Sequence, residues 1–237
     1  MIKMDQWIKD LHKTILDVMD EIHRLSEKHD IHYVLLAGSM LGAIRHDGFI
    51  PWDDDLDIGM PREDYDRFNS LLETELSEDF FYIDMHNHPQ YGLPFIKVMK
   101  KNTEVQEQSA PKDIENYGVY VDVFPFDVSP KSMELCKAHE RQFNWYQKLL
   151  LARKKYRLDL EKRPVKRFIY FMVRLVSYIY SEDKLKTKLE SSMQKYNHLK
   201  EFDYYVNLSG SYPYNKERIE KKWLEDRKLY HFEGREY

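Results

Sequence analysis

Four aspartates stand within six residues in Trp52-Asp53-Asp54-Asp55-Leu56-Asp57, a density of carboxylates that points to chemistry carried by a divalent cation. In an extended strand alternate side chains share a face, so Asp55 and Asp57 project together. Like charges held close raise one another's pKa, and such a pair persists cheaply only where a cation or a shared proton neutralises it. Magnesium suits the pair. It takes oxygen ligands in octahedral geometry and keeps positions open for substrate phosphates; manganese is a substitute with the same ligand preference. A solvated acidic turn is the ordinary explanation of an Asp run. Here Leu56, Ile58 and Met60 interleave with the acids, and aspartate is disfavoured in strands, so the segment reads as a strand folded against a core. Asp122, alone between Val121 and Val123, offers a third carboxylate on a second strand.

Gly38-Ser39 supplies close backbone approach and N–H groups that suit an anion if a helix starts there. A plain turn explains the dipeptide equally well, and so does Ser39 as the N-cap of the following helix. By strand parity Asp53 joins the face of Asp55 while Asp54 points away; both are secondary candidates.

Several elements must position these residues. Ile8, Leu11, Ile15, Met19, Ile22 and Leu25 recur at three- and four-residue steps, predicting an amphipathic helix over 5–28. A β-rich stretch over 31–37 leads to one or two helical turns over 40–45 and a turn at Asp47-Gly48. Pro61 marks a helix start after the acidic strand. Further strands are expected over 80–85, 94–99, 103–108 and 118–124, then helices over 133–151, 165–180 and 182–196. The whole reads as α/β (α+β): a mixed sheet flanked by helices in residues 1–130, a helical elaboration over 131–200, and a C-terminal segment over 201–237 that packs back on the core.

Composition narrows the function classes. The net charge of -4 gives no global case for nucleic-acid binding. A single cysteine excludes an intramolecular disulfide framework and a cysteine-rich zinc site. The N-terminus lacks the apolar core of a signal peptide and no apolar run is long enough to span a bilayer, so the expected location is the cytoplasm.

Taken together, Gly38-Ser39, Asp55-Leu56-Asp57-Ile58 and Val121-Asp122-Val123 resemble the signature of the nucleotidyltransferase fold. The segment AGSMLGAIRHDGFIPWDDDLDIGMPREDYDRF, from Ala37 to Phe68, more specifically resembles the LicD family of phosphotransferases, which includes fukutin-type proteins. Phe95-Ile96-Lys97 with Thr103, GVYVDVFPFD from Gly118 and FEGREY from Phe232 support it. The resemblance implies transfer of a phospho-alcohol, typically phosphocholine from CDP-choline, to a sugar of a cell-surface glycan or its lipid-linked precursor, with release of CMP. Ribitol or glycerol phosphate, nucleotidyl transfer from a nucleoside triphosphate to a small molecule, and a non-catalytic scaffold are the alternatives.

On this reading Asp55 and Asp57 hold magnesium against the donor pyrophosphate, and Asp122 completes the metal site or accepts the hydroxyl proton. Gly38 and Ser39 contact a donor phosphate, with Arg45 and Lys97 as counter-charges. His46 is an acid, a donor contact or a turn residue. Trp52 stacks on the base or choline, or anchors its loop in the core, the anchor being the expectation. The family pattern continues past FEGREY with a Pro- and Tyr-containing segment, so a shortened C-terminus is expected.

One segment stands apart. Arg153, Lys154, Lys155, Arg157, Lys162, Arg163, Lys166, Arg167 and Arg174 mix with Phe168, Tyr170, Phe171, Val173, Leu175 and Tyr178. Basic helices with an apolar face lie on anionic membranes, which would make the protein peripheral at the inner membrane face. Packing of the apolar face on the domain is the expected arrangement.

Overall fold

In the computed structural model, which describes residues 6–105, 117–156 and 163–237, the first apolar stripe becomes helix α1 (Gln6–His29), with Ile8, Ile15, Met19, Ile22 and Leu25 buried. The chain continues through β1 (Val34–Leu35), α2 (Ala37–His46), β2 (Asp57–Pro61), α3 (Arg62–Glu75), β3 (Phe80–Ile83), β4 (Ile96–Lys100) and β5 (Tyr120–Ser129). These strands lie in the order β1-β2-β5-β4-β3. Only β2 and β5 run parallel among them; the other neighbours are antiparallel. A parallel pair requires a crossover, supplied here by α3 and the β3–β4 pair.

Ile58, Met60, Ile96, Val98, Val121 and Val123 face one way from this sheet and are buried in one cluster with the apolar stripe of α1 and with Phe68 and Leu72 of α3. Burying each side chain of this size contributes roughly 1.5–3 kcal/mol. This packing fixes the register, because a slip of one residue would turn the apolar set outward and the acids inward.

The remaining elements are α4 (Met133–Arg153), α5 (Pro164–Ser177), α6 (Glu182–Met193), a 3-10 turn (Gln194–Tyr196), β6 (Tyr204–Val206), α7 (Tyr214–Glu217), β7 (Arg218–Glu220), α8 (Lys221–Glu225), β8 (His231–Phe232) and β9 (Arg235–Glu236). β6 extends the sheet along the far half of β5, and β7 follows it. The chain is thus a mixed sheet flanked by helices with a helical C-terminal elaboration. Phe143, Leu149, Leu150, Leu185 and Leu189 from α4 and α6 form a second core with Val206. Asp127, fully buried on β5, accepts both guanidinium bonds of Arg62 at 2.8 and 2.7 Å and one from Asn197, joining the two parts.

Three expectations are corrected. The strand over 31–37 shortens to Val34–Leu35, because past Leu36, whose N–H reaches the Asp57 carbonyl, no neighbouring strand remains to pair with. Helix α2 therefore starts at Ala37, which sits at φ 40°, instead of Met40. In the 103–108 strand, residues 103–105 are not strand and 106–108 lie outside the described residues, as do Arg157 and Lys162.

His139 in the second core is buried, its Nε2–H donating to the Ser192 carbonyl and its Nδ1 meeting Tyr214 Oη at 3.0 Å. Burial is the main reason its pKa lies below 6.5. The unfolded chain takes up this proton near 6.5 and the folded chain only at lower pH. Stability is therefore expected to fall as pH drops below about 6.5 and to be indifferent to this group above it. Urea melts at neutral and mildly acidic pH should show a smaller pH slope for His139→Gln; an unchanged slope would remove His139 as the cause.

Candidate active site

The register of three strands sets Asp57 of β2 beside Asp122 of β5, and Asp122 beside Lys97 of β4. Residues directly opposed in this way share a face. The buried Lys97 Nζ donates to both oxygens of Asp122, at 2.6 and 2.9 Å, and lies 3.5 Å from the Tyr120 ring centroid. Lys97 is thus a buried cation built into the sheet. Asp57 is crowded: desolvation, then the charges of Asp122 and Asp55, push its pKa up to about 8.

Asp55 lies ahead of β2, in the loop that leads into it. The strand begins two residues later than the alternation implied, so parity does not govern residues 53–55. Asp53, Asp54 and Asp55 instead offer oxygens all within 4.8 Å of one another, and Asp54, expected to point away, is one of the group. Burial, followed by the Asp54 charge, raises the pKa of Asp53. Such an all-carboxylate set fits a hard divalent cation.

Gly38 and Ser39 fall in the first turn of α2, not before it. Leu36 is the N-cap and has no side-chain cap bond, which removes the N-cap role of Ser39. The Ser39 hydroxyl, buried, instead accepts the Asp57 N–H at 2.9 Å, pinning the start of the acidic strand to α2. A Cβ on Gly38 would stand 2.6 Å from Asp53 Oδ2, so glycine there allows the acidic loop to close against the helix. Arg45 and His46 are exposed at the other end of α2. At about 1.5 Å per residue, Arg45 lies roughly 10 Å along the helix from Gly38. Trp52 is 69% exposed; the core-anchor expectation is overturned, and its indole stands open beside the acids.

Sequence reasoning missed His12. It is buried, donates from Nε2 to the Asp53 carbonyl at 2.7 Å, and stacks on Phe49 with ring centroids 3.9 Å apart. Its signal was there to find: a polar side chain on the apolar stripe, four residues from both Ile8 and Leu16. Phe49 in turn meets Phe232, which opens the FEGREY hairpin. Glu233 and Gly234 both have positive φ, which a two-residue hairpin loop with φ > 0 at both positions requires. Arg235 and Tyr237 bind Asp20 of α1, and the Glu233 N–H reaches the Asp47 carbonyl. The hairpin thereby clasps α1 and the 47–49 turn behind the acidic loop.

His12→Phe preserves the stack and removes one hydrogen bond. The expected loss of stability is about 1 kcal/mol, while divalent-ion affinity falls on the order of 10- to 100-fold, as for other groups that orient ligands from behind. Calorimetric titration of the ion checks this; unchanged affinity would leave His12 a packing residue only.

A cavity of 660 Å³ lies between α1, β1 and residues 222–230, and Asp53, Asp54, Asp55, Asp57 and Asp122 are all absent from its lining. The carboxylate cluster therefore faces a different part of the surface.

Against known proteins, the family profile for the LicD/FKTN/FKRP nucleotidyltransferase domain matches residues 30–168. The lipopolysaccharide cholinephosphotransferase LicD of Haemophilus influenzae is 27% identical over 224 residues, covering 94% of this chain and 81% of that protein. Uncharacterised proteins of Rickettsia typhi and Rickettsia prowazekii are 44% and 42% identical over 59 residues, covering 25% of this chain and 19% and 22% of theirs.

Proposed function

The chain belongs to the LicD family of nucleotidyltransferase domains, and from that premise we propose that it transfers phosphocholine from CDP-choline to a hydroxyl of a cell-surface glycan or its lipid-linked precursor, releasing CMP. The observation that carries the reading is the register that sets Asp57, Asp122 and Lys97 side by side with the Asp53–Asp55 group at the mouth of the same strand. The cholinephosphotransferase activity of the Haemophilus relative supports the choice of donor.

In this proposal magnesium would be held by oxygens of the Asp53–Asp55 group, which lie within 4.8 Å of one another, with Asp57 and Asp122 behind them in the sheet. The cation, when bound, neutralises charge on the donor pyrophosphate and on the departing CMP oxygen. The acceptor hydroxyl attacks the phosphorus that bears choline, the bond to the CMP oxygen breaks, and the hydroxyl proton leaves to a carboxylate of the cluster. Lys97 keeps Asp122 in place from behind. Ser39 holds the start of β2, and the first turn of α2 presents backbone N–H groups to a donor phosphate. The exposed indole of Trp52 offers a face to the trimethylammonium group or to the cytosine ring.

The test is incubation with magnesium and, separately, CDP-choline, CDP-ribitol, CDP-glycerol and nucleoside triphosphates, with products weighed by mass spectrometry. Release of CMP from CDP-choline, with phosphocholine on the acceptor, is expected. Appearance of a nucleotide on the acceptor would replace this reading with nucleotidyl transfer.

A further inference from the structure

Helix α5 packs against α4 through only one side. Val173, Val176 and Tyr180 are partly buried against the second core and Ser177 is wholly buried. At 100° per residue, Val165, Phe168, Ile169, Met172 and Leu175 fall on an arc of about 120° that adjoins the packed side and shares its edge, where Ile169 lies beside Val176. They are 44% to 71% exposed, and Ile179 in the following turn is 75% exposed. The expectation that the apolar face of this segment packs on the domain therefore holds for a minority of its residues. Large apolar side chains left together in water mark a contact surface.

The charge on the helix says what the contact is. Its sequence, PVKRFIYFMVRLVS, contains Lys166, Arg167 and Arg174 and no acidic residue, Arg163 immediately precedes it, and the whole chain carries a net charge of -4. At the same spacing Arg163, Lys166, Arg167 and Arg174 fall on the side turned away from that arc, so the helix has one apolar and one basic face. An anionic bilayer matches both faces at once: acyl chains take the apolar arc, and lipid phosphates draw in the long side chains of the basic face. The helix has 14 residues, about 21 Å at 1.5 Å per residue, too short to cross a hydrocarbon core of about 30 Å. No described helix is long and apolar enough to cross a membrane. We propose that α5 lies in the plane of an anionic membrane surface, its outer arc sunk into the headgroup boundary, and that it holds the protein there independently of which reaction the acidic cluster performs.

Flotation of the full chain with vesicles of phosphatidylcholine, with and without phosphatidylglycerol, tests this. Strong binding is expected only with phosphatidylglycerol, weakening as salt rises. The Phe168→Ser/Met172→Ser/Leu175→Ser variant, altered only at exposed positions, should keep its melting temperature and lose on the order of 100-fold in vesicle affinity. Lys166→Gln/Arg167→Gln should lose on the order of 20-fold on the anionic vesicles. Three results overturn the proposal: no flotation of the wild-type chain with anionic vesicles, flotation of both variants equal to wild type, or a wild-type dimer in sedimentation that the serine variant dissolves.

Discussion

Asparagine in place of Asp55 is expected to lower turnover on the order of 100- to 1000-fold, the loss typical of removing one group that stabilises charge in the transition state. The substitution keeps the shape of the side chain and deletes its charge. The Asp53–Asp55 group and Asp57 are mutually repulsive, so the variant without metal should melt no lower than wild type. Loss of activity with no loss of stability distinguishes a functional carboxylate from a structural one. Raising magnesium should recover part of the rate if Asp55 is a ligand, because the remaining oxygens still bind the ion more weakly. Near-normal transfer by the variant at ordinary magnesium would remove Asp55 from the metal site.

Lys97→Met is expected to cost about 3–5 kcal/mol, the usual result of leaving one member of a buried ion pair without its partner. At roughly 2–4 °C per kcal/mol for a chain of this size, the melting temperature should drop by about 10 °C. Methionine fills nearly the same space, so the cost is electrostatic: Asp122 keeps its neighbour Asp57 and loses the ammonium that held both its oxygens. Adding Asp122→Asn should restore most of the stability, and added magnesium should protect the single variant more than wild type. Thermal melts with and without chelator measure both. A single-variant loss under about 1 kcal/mol, or a double variant no more stable than the single, would mean that the pair is not coupled as its geometry implies.

The two substitutions probe opposite ends of one design. The acidic cluster crowds carboxylates at a cost in stability that shows in the pKa of Asp57, pushed up to about 8, and Lys97 limits that cost where Asp122 is buried. The same division explains why Ser39 is buried: its hydroxyl accepts the Asp57 N–H, holding the crowded strand start against α2.

The sequence by itself determined the family and the α/β class with its helical C-terminal half, and it offered the acidic residues that the proposed chemistry uses. It could do so because periodicity records which face of an element is buried: the stripe of α1, the alternation in β2 and β5, and the isolation of Asp122 between valines are local facts that survive without a partner in view. Tertiary structure alone decided what depends on pairing between distant segments. Strand alternation cannot say where a strand begins, so only the pairing of β2 with β5 shows that Asp55 lies in a loop with Asp53 and Asp54. The bond from Lys97 to Asp122 spans 25 residues and the bond from His12 to Asp53 spans 41, separations at which spacing carries no geometric information. Trp52 and the outer arc of α5 are apolar yet exposed, because hydrophobicity states a preference for burial while the available neighbours decide whether it is met.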